Sequence, residues 1–282
     1  DKHKNALRVA VALALIAFAG KSYWMKKPGG EKTPAPVAAS VKVDTSRSLG
    51  SLTFTPCSLA QGAESLSAFC STLTVPEDHS KPDGRKISLA VSWLPASKQA
   101  EADPIFMLAG GPGQGARESF PSIAAAFTEA RKTRHVVLLD QRGTGASHPL
   151  KCENAEGESA VVENEEYTAQ SAIDFARKCA AVYAGKVDVS QFSTADAIRD
   201  LELARKAIGA AQINLIGISY GTRVAQQYAK AFPNSVRTVT IDGIAPLETV
   251  LGQEHAKNLE ASLDLQFARC SQDKACLEKM GD

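Results

Sequence analysis

In the stretch INLIGISYGTRVAQQYAKAFP, residues 213–233, apolar residues run into Gly217-Ile218-Ser219-Tyr220-Gly221, and an alanine-rich helical pattern follows. Strand, sharp turn and helix in that order put a serine at the tip of the turn. Gly217 and Gly221 leave room for strand and helix to approach closely, and the serine takes a strained backbone conformation. The turn raises the hydroxyl above the sheet and aims the Tyr220 N–H at the same space. The start of the helix adds partial positive charge where an oxyanion would form. Ser219 is therefore a candidate nucleophile for acyl transfer. The plain alternative is a tight turn that contains a serine and does no chemistry.

Acyl transfer needs a second oxyanion donor. LAGGPGQG, residues 108–115, comes straight off the apolar run PIFM. Gly110 and Gly111 present bare backbone N–H groups there, and Pro112 fixes the turn. Alone this would be an ordinary glycine-rich turn; beside Ser219 it is a candidate oxyanion loop. A serine nucleophile also needs a base. The histidines are His3, His79, His135, His148 and His255, and His255 alone follows Ser219. It lies within a helical pattern between Glu254 and Ala256, where a surface histidine is the ordinary expectation. Asp242, ending the strand after Ser219, is a candidate acid, and Asp264 is a weaker one.

The elements that must position these groups are legible as patterns. CSTLTVPED and KISLAVSWLPA alternate apolar and polar residues around a Pro82-Asp83-Gly84 turn, which predicts an antiparallel pair. PIFMLAG and HVVLLD are short continuous apolar runs, suited to strands buried on both faces of a parallel sheet. Helices are expected over 117–131 and 165–184. In STADAIRDLELARKAIG, Ser193 and Asp196 have capping-box spacing, and Ala197, Ile198, Leu201, Ala204 and Ile208 share one face. The strand VRTVTID follows the Ser219 helix. Alternation of strand and helix predicts an α/β fold with a mainly parallel sheet and flanking helices. After Leu247 the pattern becomes helical, with apolar positions at Leu259, Leu263 and Phe267.

Composition excludes some classes. The 282 residues carry a formal net charge of +1 and are 44% apolar, an ordinary globular balance. No Lys/Arg run of five or more appears, so neither nucleic acid nor an anionic membrane is expected as partner. The opening DKHKNALR is basic, VAVALALIAFAG is apolar, and Ala17-Phe18-Ala19 fits a signal-peptidase site. The apolar run falls short of the ~20 residues of a spanning helix. Residues 1–25 are expected to be a signal peptide or an uncleaved membrane anchor, and the Pro- and Lys-rich stretch 26–47 a linker. Export to a periplasmic or extracellular space follows. Cys57, Cys70, Cys152, Cys179, Cys270 and Cys276 form no Cys-x-x-Cys and no zinc-type spacing, so no metal is implied. Many pairings are open; sequential pairing is the expectation, because each pair brackets a short local segment.

GGPGQG, LLDQRGTGAS (138–147) and GISYGT, in that order, resemble the proline iminopeptidase family of α/β hydrolases. The front end, CSTLTVPEDHSKPDGRKISLAVSWLPA, is more similar to its secreted tripeptidyl-aminopeptidase branch. The resemblance spans roughly residues 50 to 282 and implies an α/β-hydrolase fold over 48–246, with the beginning of a helical cap over 247–282. It implies Ser219 as nucleophile, Tyr220 and Gly111 as oxyanion donors, and a scaffold turn of Asp140, Arg142, Gly143 and Gly145 whose charged groups hold neighbouring loops. It favours a structural role for Asp242. Ala109 departs from the histidine usual before Gly-Gly-Pro-Gly, which bears on fine specificity. In this fold the triad runs serine, acid, histidine along the chain, so the final strands, acid and histidine are expected beyond Asp282.

The expected function is an exported serine peptidase of the aminopeptidase type that releases N-terminal residues or short peptides through an acyl-enzyme on Ser219. Its partner is a peptide with a free N-terminus, and no cofactor is implied. One alternative is an esterase or lipase-like hydrolase of small acyl esters, because acyl transfer uses the same parts. The other is a non-catalytic fragment without a catalytic histidine.

Overall fold

The computed structural model describes residues 45–152, 168–250 and 252–280. The expected leader and nearly all of the expected linker lie outside the described residues.

The sheet has eight strands: β1 (Arg47–Leu49), β2 (Leu52–Gln61), β3 (Glu64–Pro76), β4 (Lys86–Leu94), β5 (Ile105–Leu108), β6 (Val136–Leu139), β7 (Ile213–Ile218) and β8 (Val236–Asp242). Their spatial order is β1-β2-β3-β4-β6-β5-β7-β8. The expected antiparallel pair is β3 and β4, in register from Phe69 opposite Trp93 to Pro76 opposite Lys86. The strands β6-β5-β7-β8 form the parallel half. The first four strands extend it in antiparallel fashion through β4 on β6. β2 alternates at first and loses the alternation at Pro56; its pairings with β1 and β3 define it as a strand.

β5 and β6 are the short apolar runs, and every one of their residues is buried. Their side chains divide by parity, as a two-residue period demands. Phe106, Leu108, Val137 and Leu139 join a core cluster with Leu201, Val224 and Tyr228. Ile105, Met107, Val136 and Leu138 join another with Phe120 and Phe127 on the opposite face. Each such side chain contributes about 1.5–3 kcal/mol by leaving water. The buried strands therefore hold the ends that carry the candidate site.

Helices cover both faces. α1 (Ala116–Ile123) stops early, and short 3-10 turns at 124–127 and 130–132 replace the rest of the single helix expected over 117–131. Pro121 lies within α1 and removes a backbone donor there. α2 spans Ala169–Tyr183, α3 Thr194–Ala207 and α4 Tyr220–Ala231. On α3 the capping box forms as the spacing predicted, with Ser193 and Asp196 exchanging bonds, and all five expected face residues are buried. α5 (His255–Cys270) and α6 (Lys274–Met280) follow a loop. The apolar positions of α5 are exposed: Leu259 by 63% and Phe267 by 64%.

The cysteines pair in sequential order. Cys57–Cys70 links β2 to β3, Cys152–Cys179 ties the chain after β6 to α2, and Cys270–Cys276 joins α5 to α6. No described helix is long and apolar enough to cross a membrane.

Candidate active site

Ser219 stands between the end of β7 and the start of α4, with φ +53° and ψ −120°. Such a conformation in a non-glycine residue costs on the order of 1–3 kcal/mol and persists only where the surroundings enforce it. They do so from three directions. The Ser219 N–H donates to the Asp242 carbonyl at 2.8 Å. The Ser219 carbonyl accepts from the Thr222 N–H at 3.0 Å and the Thr222 hydroxyl at 2.6 Å. Thr222 Oγ1 in turn accepts from the Ala245 N–H at 2.8 Å.

The two flanking glycines are required by contact. A Cβ on Gly217 would sit 2.4 Å from the Gly221 carbonyl oxygen, and one on Gly221 would sit 2.1 Å from the Leu108 carbonyl oxygen. The helix thus presses directly on β5 and β7. The Ser219 side chain is exposed and has no hydrogen-bond partner among the described residues.

The glycine-rich loop reaches the same place. β5 and β7 are parallel neighbours with Leu108 opposite Gly217, so residues 109–113 emerge beside the turn. A Cβ on Gly110 would lie 3.1 Å from Ser219 Cβ. Gly110 is therefore brought against Ser219, with Gly111 next to it in the loop and Tyr220 next to the serine in the turn. The partial charge of the α4 N-terminus is available at the hydroxyl.

Asp140 and Arg142 lie on a separate turn after β6. Asp140 is buried and accepts from the Arg117 N–H at 2.9 Å and the Ala146 N–H at 3.0 Å. Burial raises its pKa above the usual carboxylate range, against the pull of those two N–H bonds and the Arg117 charge. Gly145, at φ +49°, lets the turn close, because a Cβ there would lie 2.4 Å from Asp140 Oδ2. A Cβ on Gly143 would lie 3.0 Å from the Phe192 ring. The Arg142 side chain is fully buried. It donates to Asp200 through Nε at 2.6 Å and Nη2 at 2.7 Å. It also donates to the carbonyls of Glu77, Gln191 and Pro76. This turn clamps the β3 end, the chain before α3 and α3 itself.

Asp242 places its carbonyl on the Ser219 N–H, while its side chain is exposed. His255 is the first residue of α5 and exposed. His79 meets Asp200 Oδ1 at 3.0 Å, the His135 ring accepts from the Ala96 N–H, and His148 stacks near Phe192. No described histidine is hydrogen-bonded to Ser219. The described residues contain no group of histidine, cysteine and carboxylate side chains that could hold a metal.

Sequence reasoning missed the residues that brace the turn. Arg223 donates to the carbonyls of Pro246, Leu247 and Thr249, and Gln226 to that of Ala245. These bonds clasp the loop after β8 onto α4. It also missed two carboxylates further along α3. Asp200 and Glu202 are buried among that helix's apolar residues, a polar interruption of an apolar stripe that is visible in the sequence.

Comparison with known proteins adds the family. A family model described as alpha/beta hydrolase fold matches residues 103–277. "Serine protease Hip1" of Mycobacterium tuberculosis is 27% identical over 229 residues, covering 74% of this chain and 42% of that protein. "Tripeptidyl aminopeptidase" of Streptomyces lividans is 30% identical over 189 residues, covering 62% of this chain and 35% of that protein. "Carboxylesterase B" of Mycobacterium tuberculosis is 28% identical over 275 residues, covering 89% and 49%. In each case the match spans less than half the length of the relative. With the strand order and the serine turn described above, the chain belongs to the α/β-hydrolase fold family.

Proposed function

We propose that this chain carries the nucleophile-bearing part of an exported serine hydrolase of the aminopeptidase type. Ser219 attacks the carbonyl of a peptide near its free N-terminus, and the Tyr220 and Gly111 N–H groups receive the oxyanion. The observation that carries the reading is Ser219 itself: a strained, exposed, unpartnered hydroxyl held beside Gly110 by contacts that tolerate only glycine at 217 and 221. The relatives are more than twice as long as the segments matched here, and in this reading the acid and the histidine come from the part of such a protein that the match does not span. Residues 48–246 act as the core and 247–282 as the beginning of a cap. Export is supported by the leader pattern and by three disulfides, which persist in oxidising compartments.

Labelling by a fluorophosphonate, with Ser219→Ala alongside, tests the nucleophile. Ser219-dependent labelling of the full-length protein supports the reading, and labelling that survives the substitution overturns it. The second reading, an ester hydrolase, is favoured by the relative named carboxylesterase B. Peptide and ester substrates with the same acyl group, assayed side by side, separate the two.

A further inference from the structure

A cavity of about 200 Å³ opens beside the serine turn. Its walls come from the loop after β5 (Pro112), the turn after β6 (Thr144 and Leu150), the chain entering α3 (Phe192 and Thr194) and Tyr220. Pro112 adjoins Gly111 and Tyr220 adjoins Ser219 along the chain, so the cavity borders the loop and the turn that carry the two proposed oxyanion donors.

The lining offers no free charge. Arg142 reaches the wall, but the five N–H groups of a guanidinium find five acceptors: both Asp200 oxygens and the carbonyls of Pro76, Glu77 and Gln191. Thr144 Oγ1 donates to the Gln141 carbonyl, and the Thr194 and Tyr220 hydroxyls bond each other. The N-terminus of α3 is closed by its own Ser193–Asp196 box. The remaining polar wall, the Gln141 amide, is neutral. The volume lies below the ~300–1,000 Å³ of sites that enclose whole small molecules and suits one amino-acid side chain.

From this geometry we infer that the cavity is the subsite for the side chain of the residue whose carbonyl Ser219 attacks, and that it takes an uncharged apolar group of leucine to phenylalanine size. The inference rests on the acyl-transfer reading of Ser219. With the acyl carbon held between Ser219 and the Tyr220 and Gly111 N–H groups, its substituent begins at the cavity mouth. Leu150 and Phe192 set the depth. The Phe192 ring is held in place by Gly143, by Arg142 with its guanidinium carbon 5.9 Å from the ring centre, and by His148.

The test measures kcat/KM of the full-length protein on substrates with one leaving group and Gly, Ala, Leu, Phe, Glu or Lys as the acyl residue. Leu or Phe is expected to exceed Gly by about 10–100-fold, the range open to an apolar pocket, with Glu and Lys poorest. Leu150→Trp fills the cavity and is expected to move the preference to Gly and Ala; Phe192→Ala widens it and moves the preference to Phe. Should Phe192→Ala not fold, Leu150→Trp alone decides. An unchanged ranking in variants that remain labelled by fluorophosphonate overturns the subsite while Ser219 stands. Turnover that survives Ser219→Ala overturns the acyl-transfer reading, and the subsite with it.

Discussion

The turn after β7 and the turn after β6 lie at the same end of the sheet, with β5 between their strands, and treat their polar groups in opposite ways. At the first, backbone contacts brace Ser219 while its hydroxyl is left open. At the second, every hydrogen-bonding group of the Arg142 guanidinium is engaged and buried. A buried charge with all donors satisfied is held rigidly, whereas an exposed hydroxyl without a partner among the described residues is open to a base and a substrate. The pair therefore separates chemistry from support. Asp140 and Arg142 carry the charge that would tempt an assignment as catalytic residues, yet they face loops.

Perturbing either side should sharpen the contrast. The largest effect is expected from Ser219→Ala, which should lower kcat of the full-length enzyme at least about 10⁴-fold and leave the thermal midpoint nearly unchanged. A matching collapse in stability would erase the distinction. Arg142→Met should do the reverse on stability, costing about 3–5 kcal/mol because the buried Asp200 carboxylate loses both guanidinium bonds and keeps His79 alone among the described residues. Denaturant titration checks this, and Arg142→Met with Asp200→Leu should recover part of the loss. Gly221→Ala tests the contact that strains the serine. The added methyl would meet the Leu108 carbonyl, so a loss of about 1–3 kcal/mol should come with reduced fluorophosphonate labelling of the full-length protein.

The smallest effect concerns the tie between α3 and α4. Glu202 accepts from Tyr228 at 2.7 Å and from Arg205 at 2.6 Å. Burial opposes its charge, but those hydrogen bonds and the charges of Arg205 and Lys206 prevail and lower its pKa to about 2 from an ordinary 4.5. A carboxylate depressed in this way stabilises the fold fully above its ordinary pKa. The contribution fades as pH falls from about 4.5 to about 2, and it amounts to roughly 2 kcal/mol. Stability measured across that window should fall more steeply in the wild type than in Glu202→Gln.

Local pattern made much of this legible. The four-residue apolar runs of β5 and β6, the Ser193–Asp196 cap and the Gly-x-Ser-x-Gly turn each declare themselves within a few residues, because strand parity, helix capping and the steric demand at Gly217 act over that range. Pairings between distant segments left no such mark. Arg142 and Asp200 are 58 residues apart, and no periodicity links them. β2 is defined as a strand by its pairings with β1 and β3, and the apolar positions of α5 have helical spacing yet stand exposed.

The amino-acid sequence by itself determined the serine, the glycines around it and the buried strands that lift it, since each follows from the sterics and hydrophobicity of neighbouring residues. The tertiary structure alone decided that β6 crosses to lie between β4 and β5, that Gly110 meets Ser219, and that Phe192 and Leu150 wall a cavity beside it. Those outcomes depend on which distant surfaces bury one another, a free-energy balance set by the whole packed sheet rather than by any one stretch of chain.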